Sequence, residues 1–182
     1  MAASQKDQQY DTINNYHSIE YFYILFQVID AELETFPPEI GNLRRLHTLG
    51  ARSNRIASLP PSLCSLPALR WLHLADNRIH SLPDTFSQLG SLAQLNLDGN
   101  RLRAVPACLT AMPRLVGVSL RGNPIDGLGD DLVLGLAGLD RLDLRDTGIL
   151  RRPEHWRVGC WRLLSLVERR LLAKCKAVTF YA

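Results

Sequence analysis

The chain has 182 residues, enough for one domain with a real core, and its hydrophobic share of 46% is ordinary for a soluble protein. A net charge of only +3 argues neither for nor against nucleic acid, and the longest apolar run near the start, Tyr21 to Phe26, is far short of the roughly 20 residues of a membrane span. The four cysteines, Cys64, Cys108, Cys160 and Cys175, show no C-x-x-C pair and no His at ligand spacing, so no metal site is expected and a reducing, cytoplasmic compartment is the simpler reading.

The first residues are polar, so no secretory signal is expected. Residues 1–38 carry one Lys against six acids (Asp7, Asp11, Glu20, Asp30, Glu32, Glu34), whereas residues 151–182 carry eight bases against two acids. Such asymmetry is either two solvated ends or a functional basic tail. Residues 1–18 read as a mobile tail and residues 19–45 as a degenerate capping copy of the repeat that follows. Counting back one period sets Tyr23, Phe26, Val28 and Leu33 where Leu46, Leu49, Ala51 and Ile56 stand, with Ala31 in place of Asn. A second reading stays open, in which this start is joined to an array truncated from a longer protein.

From Leu46 the sequence repeats. Asn54, Asn77, Asn100 and Asn123 recur every 23 residues inside one phrase: Leu46-His-Thr-Leu49-Gly-Ala51-Arg-Ser-Asn54-Arg-Ile56, then its copies from Leu69, Leu92 and Leu115. A fifth copy begins at Leu139 and has Thr147 in place of Asn. The other half of each unit is also periodic. Pro37, Pro60, Pro83 and Pro106 each follow an apolar residue, and apolar residues follow at Ile40, Leu63, Phe86 and Leu109, then Leu43, Leu66, Leu89 and Met112.

The x-L-x-L-x stretch alternates with period two, which predicts a short strand with its leucines inward. Each strand should pair in parallel with the next copy, one coil away. The proline suits the first position of a short helical turn whose apolar pair, three apart, points back to the core. The Asn carboxamides are expected to bridge adjacent coils, where the turn leaving the strand buries backbone groups that have no sheet partner.

The phrase matches the leucine-rich-repeat pattern L-x-x-L-x-L-x-x-N-x-L. Its L-P-x-x-L-x-x-L ending resembles the short-repeat, Ras-binding group of intracellular leucine-rich-repeat proteins, which includes the Ras-suppressor-like scaffolds. The resemblance covers residues 33–156. Pattern and resemblance together predict an α/β solenoid, a horseshoe with a parallel sheet on its concave face, with repeats over 46–156. The resemblance also implies that the concave face carries a protein ligand.

Outward positions on that face include Thr48, Gly50 and Arg52; Trp71, His73 and Asp76; Gln94, Asn96 and Asp98; Ser119 and Arg121; and Arg141, Asp143, Arg145 and Asp146. Trp71 is the leading anchor, since an exposed Trp among polar groups suits a binding hot spot. The competing reading packs it flat on Thr48 and Gln94. His73 is read as a plain polar contact, because no second His or Cys falls beside it. The mixed charges of Arg141, Asp143, Arg145 and Asp146 would tune specificity and association rate more than affinity.

The repeat beginning at Leu115 is one residue longer than the others, with Gly129 in place of the proline. Asp126, Asp130 and Asp131 in its loop lack the spacing of an EF-hand and read as a solvated acidic turn. In the last repeat Pro153 and Trp156 keep register while Arg152 stands at a buried position, which marks the edge of the array. Apolar residues at 156, 160, 163, 164, 167, 171 and 175 then fit one helical face. Residues 157–182 are expected to form an amphipathic basic helix that caps the last coil or, with Arg157, Arg162, Arg169, Arg170, Lys174 and Lys176, meets a membrane surface or partner.

No phosphate-binding glycine loop, nucleophile elbow or triad is visible, so no enzyme and no cofactor are expected. The sheet face also lacks a basic stripe with interleaved aromatics for nucleic acid. Three readings remain: a monomeric signalling or scaffolding adaptor, for a small GTPase or a phosphatase; a membrane-proximal adaptor; or the recognition part of a larger regulatory enzyme.

Overall fold

The computed structural model describes residues 25–127, 132, 135, 136 and 138–148. Among these, six three-residue strands stack in chain order into one parallel sheet: β1 (Leu25–Gln27), β2 (Thr48–Gly50), β3 (Trp71–His73), β4 (Gln94–Asn96), β5 (Gly117–Ser119) and β6 (Arg141–Asp143). Phe26, Leu49, Leu72, Leu95, Val118 and Leu142 stand opposite one another in a single row. The 23-residue period is therefore the register, and the longer fourth repeat stretches only the last step, from Gly117 to Arg141.

On the opposite side of the first four coils lies a 3-10 helix: η1 (Pro38–Asn42), η2 (Pro61–Ser65), η3 (Asp84–Gln88) and η4 (Ala107–Ala111); in the longer coil that follows, Leu132, Gly135 and Leu136 are α-helical. Three residues per turn put residues i and i+3 on one face, which suits an apolar pair spaced by three. Ile40, Leu63, Phe86 and Leu109 are buried, as are their partners Leu66, Leu89 and Met112, while Leu43 is partly buried. The periodic prolines differ from expectation by one position. Pro37, Pro60, Pro83 and Pro106 are the N-caps, in extended backbone, and the helix begins one residue later. Each prolyl carbonyl accepts the first helical hydrogen bond, from Ile40, Leu63, Phe86 and Leu109 respectively. The ring fixes φ while the extended ψ turns the chain from its ascending course, and a cap needs no N–H of its own.

The leucines of both halves form one continuous core from Leu33 to Leu139. Strands pack about 4.8 Å apart, closer than the wider turns on the other side can stack, so the sheet takes the inner side of the curve.

The Asn column ties the coils together. The Asn77 carboxamide donates to the Ala51, Leu74 and Ala75 carbonyls (2.8, 3.1 and 3.1 Å), and its oxygen accepts from the Ile56 N–H at 3.0 Å. Asn100 and Asn123 repeat the pattern one and two coils on. Asn54 extends it backwards, accepting from the Ala31 and Leu33 N–H groups and donating to the Val28 carbonyl. Ala31 stands at the Asn position of that first coil, and the neighbouring coil's carboxamide satisfies it. Thr147 is buried, and its hydroxyl donates to the Leu144 carbonyl of its own coil at 2.6 Å.

The residue before each of these positions has positive φ: Asp30, Ser53, Asp76, Gly99, Gly122 and Asp146, between 54° and 69°. The left-handed residue turns the chain out of the strand so that the following side chain points inward. Glycine meets this need without strain, and Asp is among the few others that tolerate it. At Gly99 an added Cβ would also lie 2.5 Å from Asp76 Oδ1. Gly99→Ala should therefore cost about 1–2 kcal/mol, read as a lowered midpoint in urea denaturation; an unchanged midpoint would show that this turn tolerates a side chain.

Several sequence expectations lie outside the described residues: the tail at 1–18, Tyr23, the loop positions Gly129, Asp130 and Asp131, the edge residues Arg152, Pro153 and Trp156, Cys160 and Cys175, and the helix over 157–182.

Candidate functional site

The central residue is buried in β2 to β5 and partly buried in β1 and β6, so its two neighbours point to the other face. The exposed face is therefore built of rows that cross the coils. Thr48, Trp71, Gln94, Gly117 and Arg141 form one row, and Gly50, His73, Asn96, Ser119 and Asp143 the next. Beyond the strands, Arg52, Asp98, Arg121 and Arg145 follow, and then the turn residues Asp76 and Asp146. Every candidate contact residue named from the sequence falls in this one region of the surface.

Trp71 is 39% exposed. In register its neighbours are Thr48 and Gln94. An added Cβ at Gly117 would meet Gln94 Oε1 at 2.5 Å, so the Gln94 side chain lies over the glycine on its far side. Gln27 similarly lies over Gly50, with its Cγ 3.1 Å from where a Cβ would be. Glycines on this face serve as floors for the longer side chains of the preceding strand.

The charges pair across coils. Arg52 Nε donates to Asp76 Oδ2 at 3.0 Å, and Arg121 Nε donates to Asp146 Oδ2 at 2.7 Å. Asp98 Oδ1 accepts from the Ser119 hydroxyl and from the Arg121 N–H, and the Asp98 N–H donates to Asn96 Oδ1 at 2.9 Å. Asp143 accepts the Arg145 backbone N–H at 3.0 Å and two Nε contacts at 2.9 and 3.0 Å from the same side chain. Burial alone would push the Asp143 carboxyl up, but the hydrogen bonds and charge of Arg145, with Arg121 nearby, hold it below the usual carboxylate range. These pairs are half-exposed, so each contributes little to stability. Their effect is to hold guanidinium and carboxylate groups in fixed places around a shallow depression of about 530 Å³, lined by His73, Asn96, Asp98 and Arg121 among others.

Asp76 and Asp146 serve two ends at once: each supplies a left-handed turn and a carboxylate for a neighbouring coil's arginine. Sequence reasoning found their position on the face and missed their backbone role. Cys64 is buried and Cys108 half-buried, away from this face, and burial raises both thiols. Among the described residues no three His, Cys, Asp or Glu side chains are grouped to hold a metal ion, and no helix is long and apolar enough to cross a membrane.

Residues 44–102 match the family model described as Leucine rich repeat. No curated protein is a match to the sequence. Among solved structures, the leucine-rich-repeat ectodomain of the receptor kinase SOBIR1 from Arabidopsis thaliana is 26% identical, with a TM-score of 0.56 over 67% of this chain and 68% of that one. An internalin of Listeria monocytogenes is 25% identical, with a TM-score of 0.52 over 62% of this chain and 32% of that one. A leucine-rich-repeat protein of Leptospira interrogans, at 20% identity and a TM-score of 0.50, shares the fold over 76% of this chain and 46% of its own. The chain thus spans about a third of the internalin and less than half of the Leptospira protein. The six-stranded parallel sheet of the array thus resembles the leucine-rich-repeat solenoids of these structures. That fold is typically a non-catalytic module, and such domains generally mediate protein–protein interaction.

Proposed function

We propose that this chain is a non-catalytic adaptor that grips a protein partner on the exposed face of its sheet. The observation that carries this reading is Trp71, a large apolar side chain exposed on the sheet face, near a depression rimmed by fixed charges. Hot spots are rich in Trp and Arg and combine a desolvated anchor with surrounding polar groups. Here Trp71 is the anchor, His73, Gln94 and Asn96 are adaptable polar contacts, and Asp98, Arg121, Arg141, Asp143 and Arg145 set orientation and partner choice. The short-repeat resemblance points to a signalling or scaffolding role, with a small GTPase or a phosphatase as the class of partner. The thiols at Cys64 and Cys108 accord with a reducing, cytoplasmic setting.

The test is affinity capture from cells with the wild-type chain and with Trp71→Ala combined with Arg145→Glu, after both are shown to be equally folded. A specific protein should be present in the first capture and absent from the second. For that protein, Trp71→Ala alone should weaken binding by about tenfold or more. A captured set that does not change between the two proteins would sink the sheet-face reading.

A second reading rests on the excess of bases over acids in residues 151–182. In it, that segment meets anionic lipid and the chain works beside a membrane. Flotation with phosphatidylserine vesicles should then drop when Arg169, Arg170, Lys174 and Lys176 are neutralised, and unchanged flotation argues against it.

A further inference from the structure

The position after each ladder Asn forms a column on the flank of the solenoid, apart from the face described above. Going along the coils it reads Glu32, Arg55, Arg78, Arg101 and Pro124. The backbone N–H groups of Arg55, Arg78 and Arg101 donate to the Leu33, Ile56 and Ile79 carbonyls of the preceding coils, at 2.8, 2.9 and 2.8 Å. These bonds lock the three arginines one coil apart. The parallel column two residues on reads Glu34, Ala57, His80, Arg103 and Asp126. Glu34, Thr35, Arg55, Ala57, Arg78, His80 and Arg101 together line a shallow depression of about 640 Å³.

Arg55 pairs with Glu32 at the end of the column. Among the described residues Arg78 and Arg101 make no ion pair, and both are exposed. Like charges set side by side on neighbouring strands of chain repel. Nothing in the repeat requires them, because the pattern asks of this position only an exposed side chain. Three consecutive arginines therefore make a positive stripe that an anionic partner would relieve, and guanidinium forks match carboxylates best.

The ends of the stripe say what kind of anion. Two coil steps span about 10 Å, the length of roughly three extended residues. Glu32 and Glu34 close one end and Asp126 the other. A long polyanion such as a nucleic-acid strand or a lipid headgroup layer would run on into those acids, and among the residues lining the depression the His80 imidazole is the one ring, too few for the successive bases of a strand to stack on. We propose that this flank is a second docking surface, for a short acidic segment of a protein, three or four carboxylates long with neutral or basic residues on either side. The surface is independent of the sheet-face reading and uses none of its residues.

The test uses the full chain and a fluorescein-labelled peptide, Gly-Ser-Glu-Glu-Glu-Glu-Ser-Gly, with its Gln counterpart as reference, followed by anisotropy at low salt. The acidic peptide should bind, the Gln peptide should not, and Arg78→Glu should weaken binding about tenfold or more. Arg114→Glu, the same charge change at another exposed site, should stay within about twofold of wild type, as should Trp71→Ala. Absence of peptide binding overturns the proposal. So does binding that Arg78→Glu leaves within about twofold of wild type, since the basic residues elsewhere in the chain would then account for it. Arg78-dependent binding of single-stranded DNA or phosphatidylserine vesicles without the peptide overturns it as well.

Discussion

Asn77→Ala is expected to lower the stability of the array by about 1–3 kcal/mol, the cost of leaving one buried backbone N–H without an acceptor. The carboxamide makes four hydrogen bonds. After truncation the Ile56 N–H loses its acceptor, whereas the Ala51, Leu74 and Ala75 carbonyls each keep another donor: Asn54 Nδ2, Asn100 Nδ2 and the Ser53 N–H respectively. The loss is therefore that of one orphaned N–H rather than four separate penalties. Chemical denaturation followed by circular dichroism measures it, and a cost below about 0.5 kcal/mol would mean that water replaces the carboxamide.

Asn77→Asp separates the donor half of this side chain from the acceptor half. The isosteric carboxyl keeps an oxygen for the Ile56 N–H but turns its other oxygen toward three carbonyls. Ionisation there is disfavoured, so the folded pKa lies above the unfolded value of about 3.9. The sign follows from proton counting. Below about pH 4 both states are protonated and the variant suffers least. As pH rises, the unfolded chain ionises first and stability falls, until the folded carboxyl also ionises. A denaturation midpoint that falls from pH 4 to pH 7 relative to wild type is the expected result, and a difference constant with pH would contradict the carbonyl-facing geometry.

The register was legible because the apolar row is strict. Every strand centre from Leu49 to Leu142 is an aliphatic residue at a fixed interval, and a shift by one residue would put all of them in water. The carboxamide column was legible for the same reason. The 3-10 geometry was harder to read, because a pair of apolar residues three apart suits an α-helix and a 3-10 helix alike. Only the proline as cap and the five-residue length decide between them. The left-handed column hid behind its mixed composition. Gly99 and Gly122 point to positive φ, but Ser53, Asp76 and Asp146 occupy the same conformation without announcing it.

The site was legible in part. Alternation told which side chains leave the sheet, and so named the face. It did not tell which of them bond to each other, because that depends on rotamers of neighbours 23 or 24 residues apart in sequence. Arg52 with Asp76, and Arg121 with Asp146, are such pairs. The seat of the Gln94 side chain over Gly117 on the next strand is another such placement. The arginines after each Asn were plain in the sequence as letters. They become a stripe only when coiling sets them in a column.

Phe86→Ala should cost about 3–5 kcal/mol, the range for emptying a buried aromatic site. Phe86 is fully buried in η3, where the equivalent residues of the neighbouring turns are Leu63 and Leu109, and η3 packs against both η2 and η4. The larger ring thus fills the middle of the core, and its removal opens space that neither neighbour can reach without moving the turns apart. Phe86→Leu restores the side chain that flanking coils use and should cost less than about 1.5 kcal/mol. Because each coil is held chiefly by its two neighbours, damage at the middle coil weakens both of its interfaces. Hydrogen exchange of Phe86→Ala should therefore lose protection first at the amides that link this coil to its neighbours, those of Leu74, Ile79 and Gln94 among them, before the array melts as a whole. Trp71, His73, Gln94 and Asn96 are carried by this same pair of coils, so partner binding on the sheet face should fall in step with that local opening and recover in Phe86→Leu. Binding that survives full exchange at these amides would place the partner on some other surface.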